Sequence, residues 1–145
     1  MSFFRKKDKA DKEAERFTKD FTELIRQITS ALNAAVSTEQ AEPSLKMLEG
    51  LASYGMPEAK TFHGLAYLMD DKPWFDYGKG LEIMKEAADD NDPRSAFSMH
   101  QLGRVYLEGR KGVPSDPVSG KWWIEQAAGL GFRPAIEEKE SRWGI

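Results

Sequence analysis

Shifted along itself by forty residues, the chain repeats. Residues 76–88 fall on residues 116–128 without a gap, matching Asp76 to Asp116, Gly80 to Gly120 and the pair Ala87-Ala88 to Ala127-Ala128. A shift of 39 places Gly64 and Tyr67 on Gly103 and Tyr106, so one extra residue lies in the loop Glu108–Val113. A further shift of 36 back from Ala87-Ala88 reaches Leu51-Ala52, followed by Gly55 and Pro57. Ala59 and Tyr67 are spaced as are Ala135 and Trp143. A unit this short cannot bury an apolar face alone and completes its core by stacking on a neighbour. The division that follows is a half repeat over 40–57, repeats over 58–93 and 94–133, and a closing helix over 134–145. Residues 1–37 stand outside it.

The units read as helices. No segment keeps a period-2 alternation, while a period of 3.6 recurs. Phe17, Phe21, Leu24, Ile25, Ile28, Leu32, Ala35 and Val36 share one face, opposite Lys19, Glu23, Arg26 and Asn33. This predicts a long amphipathic helix beginning within Asp8–Lys12 and ending near Val36–Ser37. Shorter helices are expected over Pro43–Tyr54, Glu58–Met69, Asp76–Asp89, Arg94–Leu107, Asp116 to about Gly129, and Pro134–Trp143, each cut by Gly or Pro. Asp116-Pro117 has the order of an N-cap followed by a first-turn proline. Gly64 and Gly103 fall inside helices, where each costs about 1 kcal/mol against Ala. Their recurrence predicts close helix–helix contact there, with Tyr67, Tyr106 and Trp143 as large knobs between units.

The run Leu102-Gly103-x-x-Tyr106-x-x-Gly109-x-x-Gly112-Val113-x-x-Asp116, followed by Trp123-x-x-x-Ala127-Ala128-x-x-Gly131, resembles the Sel-1-like repeat. The second unit departs by one extra residue before Gly112, by Ser119-Gly120 where the family has Lys-Ala, and by Ser98 for the opening Ala. The first unit keeps Ala59, Gly64, Tyr67, Asp76, Lys79, Ala87 and Ala88. It has Asp70 and Lys72 for the loop glycines and Ile83 for the Trp. The resemblance covers roughly residues 43–145. It implies an all-α fold, a short TPR-like α-solenoid of antiparallel helix pairs, which the long N-terminal helix outside the resemblance is expected to cap. It also implies a protein-binding adaptor or scaffold, often bacterial, with no intrinsic catalysis.

Composition narrows the chemistry. The chain has 145 residues, no Cys and two His, which excludes disulfides, thiolate metal sites and a Cys nucleophile. No His-x₃-His or His-x₂-Glu pair suggests a metal site. No G-x-S-x-G context or glycine-rich phosphate loop is present, so neither a catalytic residue nor a cofactor is assigned. Asp89-Asp90-Asn91-Asp92 lacks the Gly and distant Glu of a calcium loop and reads as a solvated turn. The net charge of −3 provides no global attraction to nucleic acid. No run approaches the length of a membrane span, and the basic start has no apolar segment of a secretory signal behind it. The expected location is cytoplasmic. Residues 1–19 carry seven basic and four acidic groups, and 37–98 six basic and twelve acidic. Residues 1–7, with Phe3, Phe4 and three cations, allow a weak membrane-surface contact.

The candidate contact residues are aromatic and polar. Trp74, Phe75 and Tyr77 cluster at a loop-to-helix junction and have the composition of an interface hot spot; packing against the long N-terminal helix is the alternative. Trp122 neighbours the structural Trp123 and points elsewhere. His63, His100 and Arg104 are placed on the first helices of their units, where they would face a partner across the concave side. The expected function is noncatalytic binding of a partner peptide or helix. An inhibitor or immunity protein and a homo-oligomeric structural protein are the alternatives.

Overall fold

The computed structural model describes residues 8–54, 56–89 and 93–145, all in helices and connecting turns. The helices are α1 (Lys9–Ala34), α2 (Thr38–Ser53), α3 (Pro57–Tyr67), α4 (Tyr77–Ala88), α5 (Ala96–Glu108), α6 (Pro117–Gly129) and α7 (Arg133–Trp143), with a 3-10 turn at Pro93–Ser95 before α5. Among the described residues there is no strand, only an isolated bridge between Arg110 and Val113. Each helix packs on its neighbours in sequence, and α3 also touches α1 and α5.

Local chemistry sets the ends. Asp76 and Asp116 cap α4 and α6, accepting from the amides of Lys79 at 3.0 Å and Ser119 at 3.1 Å. Ser37 accepts from the Gln40 amide, and Gln40 Oε1 reaches back to accept from the Val36 amide at 2.8 Å. Together these satisfy amides on both sides of the helix start, in the manner of a capping box. That cap starts α2 five residues before the expected Pro43, which is carried inside the helix. The helix of the expected half repeat thus starts at Thr38.

The two units share several contacts where the sequence repeats. Asp76 donates its amide to the Tyr67 carbonyl and Asp116 to that of Tyr106, at 2.8 and 2.7 Å. Gly64 faces Gly80, and Gly103 faces Gly120. A Cβ on Gly64 would lie 2.5 Å from Met84 Cγ and 2.9 Å from the Gly80 carbonyl oxygen. On Gly103 it would lie 2.7 Å from Ile124 Cγ1 and 2.8 Å from the Gly120 carbonyl oxygen. Both crossings exclude a side chain, so the glycine cost is repaid as close packing. Cations tie the loops to the helix before them. Arg110 donates to the Leu68 carbonyl at the end of α3 at 2.9 Å, and Lys72 to the Asn33 and Ala35 carbonyls at the end of α1. Both satisfy orphan carbonyls at a negative dipole end. In this respect α1 stands to α3 as α3 stands to α5.

Two apolar clusters form the core. One joins α4 to α7 and includes Met84, Leu102, Val105, Ile124 and Ala135, all essentially sealed from solvent. The other joins α1, α2 and α3 through Ile25, Ile28, Leu32, Leu45, Leu48 and Ala66, with Trp74 from the following loop. The expected knobs Tyr67, Tyr106 and Trp143 pack half-buried against these clusters. The long helix docks from Phe21 onward. At 1.5 Å per residue its 26 residues run about 39 Å, while the 16 residues of α2 run about 24 Å. The N-terminal half of α1 has no helix long enough beside it to cover its stripe.

Candidate binding groove

Trp74 is core, which corrects its reading as a contact residue. It is 5% exposed, and its indole N–H donates to the Ala66 carbonyl at 2.9 Å. A flat ring with one polar handle fills the space between α1 and α3 once that handle is satisfied. Phe75 is half-buried beside it, and Tyr77 packs half-buried on the other cluster. Burial raises the Tyr77 hydroxyl above its ordinary pKa. The junction is thus a packed corner between the two clusters rather than an open aromatic surface.

The histidines are also drawn inward. His63 is buried edge-on to Tyr67, and its Nε2 has no hydrogen-bond partner. Burial pushes its pKa below the ordinary value. His100 is buried and donates from Nε2 to Glu138 on α7 at 2.7 Å. Burial raises the Glu138 carboxyl, but hydrogen bonds from Arg142 and His100 outweigh it and hold the group below its usual value. Neither ring is open to a partner as expected. Arg104 is exposed and lies 3.8 Å from Glu108 on its own helix. Trp122 is 53% exposed, edge-on to Trp123 and one turn from the exposed Val118. The structure does not bring these seven residues together into one site.

Another apolar surface is open instead. The N-terminal half of α1 overhangs the ends of α2, α3 and α5, leaving two adjoining clefts of about 380 Å³ each. Phe17 and Phe21 line both clefts, with their rings stacked at 6.5 Å between centroids. Phe17 is 60% exposed. The facing wall consists of Leu51 and Tyr54 from the end of α2, Met56, Phe62 from α3 and Phe97 from α5. Phe62 and Phe97 touch at 5.7 Å, and Phe97 passes the contact on to Phe132 at 6.3 Å. An apolar wall and floor of this size, broken by few polar groups, suits an inserted apolar helix face.

Phe62 and Phe97 escape a repeat-based reading because they occupy different positions of their units. Their one sequence signal is an even spacing of 35 between Phe62, Phe97 and Phe132, which is not the spacing of the repeat. Phe17 and Phe21 are read from periodicity as core, and periodicity does not register that the neighbouring helices are shorter.

The expected surface contact of residues 1–7, and most of the Asp89–Asp92 turn, lie outside the described residues. Among the described residues no helix is long and apolar enough to cross a membrane. Nor does any group of three or more His, Asp or Glu gather that could hold a metal ion. Compared with known proteins, the chain matches no family model, no curated protein and no solved structure.

Proposed function

We propose that the chain is a noncatalytic protein-binding module. In this reading it is a short solenoid of Sel-1-like helix pairs that receives a helix of a partner protein. The receiving site is the groove between the overhanging half of α1 and the ends of α2, α3 and α5. The single observation that carries the reading is an aromatic wall left uncovered: Phe17 is 60% exposed and Tyr54 82% exposed, across a groove floored by Phe62 and Phe97. Exposed aromatic surface that the fold does not need is costly in water and is characteristic of interfaces. The matched crossings Gly64–Gly80 and Gly103–Gly120 support the repeat-solenoid reading.

The test is purification of the tagged protein from its native cells beside a Phe17→Asp/Tyr54→Asp variant, both positions being exposed. The expected result is a stoichiometric protein partner that the variant loses while keeping its helical content and melting temperature. A partner held equally by the variant would show that binding uses another surface.

One observation favours a second reading, self-association. Ala10, Ala14, Phe17, Phe21 and Leu24 follow one another at alternating spacings of four and three, the pattern of a helix–helix seam. A mass by light scattering that doubles with concentration, and stays at one chain in the variant, would support it.

A further inference from the structure

We infer that the occupant of the groove is an amphipathic helix whose apolar face is edged by Lys and Arg, carried by another protein rather than by a second copy of this chain. This rests on the groove reading above and adds the chemistry of the partner.

The charges of α1 nearest the groove are mostly acidic. At 100° per residue, Ala10, Ala14, Phe17, Phe21 and Leu24 define a stripe. Glu13 and Asp20 fall along one edge of that stripe and Asp11 along the other. Lys12, Arg16, Lys19 and Arg26 fall on the back of the helix together with Glu15 and Glu23, and Lys9 lies just behind the Glu13–Asp20 edge. Glu13 and Asp20 are exposed carboxylates. The groove lining has the same sign: its charged residues are Asp20 from α1 and Glu58 from the facing α3, both acidic. An apolar trough with carboxylates at its rim is complementary to a helix with cations beside its apolar stripe. Such rim pairs set partner choice and approach rate more than they set affinity.

The same acidic rim argues against a second copy. Another α1 laid along the stripe would bring Glu13 and Asp20 to a rim that already holds Asp20 and Glu58. All of its cations but Lys9 would face away, on the back of the helix. Like charges beside a helix seam disfavour that pairing.

The test uses two synthetic helical peptides with the same Leu/Phe face, one edged by Lys and the other by Glu. Binding to the full chain is followed by fluorescence anisotropy at low and at high salt. The Lys-edged peptide is expected to bind about ten-fold more tightly at low salt, and the gap should narrow as salt screens the rim. Asp20→Lys with Glu58→Gln should bring the ratio down to about three-fold or less. Phe17→Asp should abolish binding of the Lys-edged peptide. Binding that survives Phe17→Asp is charge adhesion elsewhere and overturns the inference. Equal affinity for the two peptides, or preference for the Glu-edged one, overturns the charge inference while leaving the groove reading intact. Binding of neither peptide overturns both. Concentration-dependent dimers that exclude the Lys-edged peptide would make the second copy the occupant and overturn the inference.

Discussion

Trp74 packs onto α1 and Phe17 projects from it, yet one is sealed and the other faces water. Trp74 enters where α1, α3 and the α3–α4 loop converge, and the Ala66 carbonyl takes its one polar atom. Phe17 lies about two turns before Ile25, the first buried residue of α1, where only helix ends reach across. Both side chains are large and apolar, so intrinsic hydrophobicity does not decide between them. What decides is whether a second wall stands within reach, and that depends on relative helix lengths. A long helix on a set of shorter ones has an apolar stripe that its own fold uses in part. The docked part serves stability; the overhang is left uncovered.

Substitutions can break or sharpen this contrast. Trp74→Ala should be the most damaging: removing a buried indole and orphaning the Ala66 carbonyl costs about 3–5 kcal/mol. Urea unfolding measures it, and a loss under about 1 kcal/mol would place Trp74 outside the core. Gly103→Leu should cost about 1–3 kcal/mol, because its Cβ meets the Gly120 carbonyl and Ile124. Unchanged thermal stability would mean that the α5–α6 crossing is looser than described.

His63→Leu should act in the opposite direction, gaining roughly 1 kcal/mol by removing a buried nitrogen without a partner. Leu102, its counterpart in the next unit, shows that a Leu suits the position. The sign of the pH dependence follows from burial. The folded chain binds a proton at His63 less readily than the unfolded chain. Stability from this site is complete above the ordinary His value of about 6.5 and declines as pH falls below it towards the lower folded value. Melting curves between neutral and mildly acid pH should therefore fall less steeply for His63→Leu than for the parent. Parallel curves would show that the ring is solvated in the native state. Phe17→Ala should change stability least, within about 0.5 kcal/mol. A loss comparable to that of Trp74→Ala would erase the contrast between the two regions.

Much of the helical frame was legible in the sequence, for physical reasons. Asp76 and Asp116 are caps with a fixed geometry, and Gly64 and Gly103 mark crossings that admit no Cβ, so the repeat is written in residues with few substitutes. Gly80 and Gly120 also recur, but that they are the opposing faces of those crossings is visible only in three dimensions. The start of α2 was missed because Pro43 outweighed the cap at Ser37 and Gln40. The site was much less legible. Aromatic residues at Trp74, Phe75 and Tyr77 have the composition of an interface, and composition does not distinguish a loop folded inward from one facing out. His63 and His100 share that fate, since α3 and α5 turn those rings towards neighbouring helices. The groove depends on where α2, α3 and α5 end relative to α1, a relation between separate segments that periodicity within one segment does not contain.

The most direct measurement is amide hydrogen exchange along α1, with and without the Lys-edged peptide. The expected result is slow exchange over residues 25–34 and fast exchange over residues 10–19 in the free protein, with the peptide slowing the second group. Equal protection of both halves at every dilution without peptide would contradict the division of α1 into a docked half and an open one.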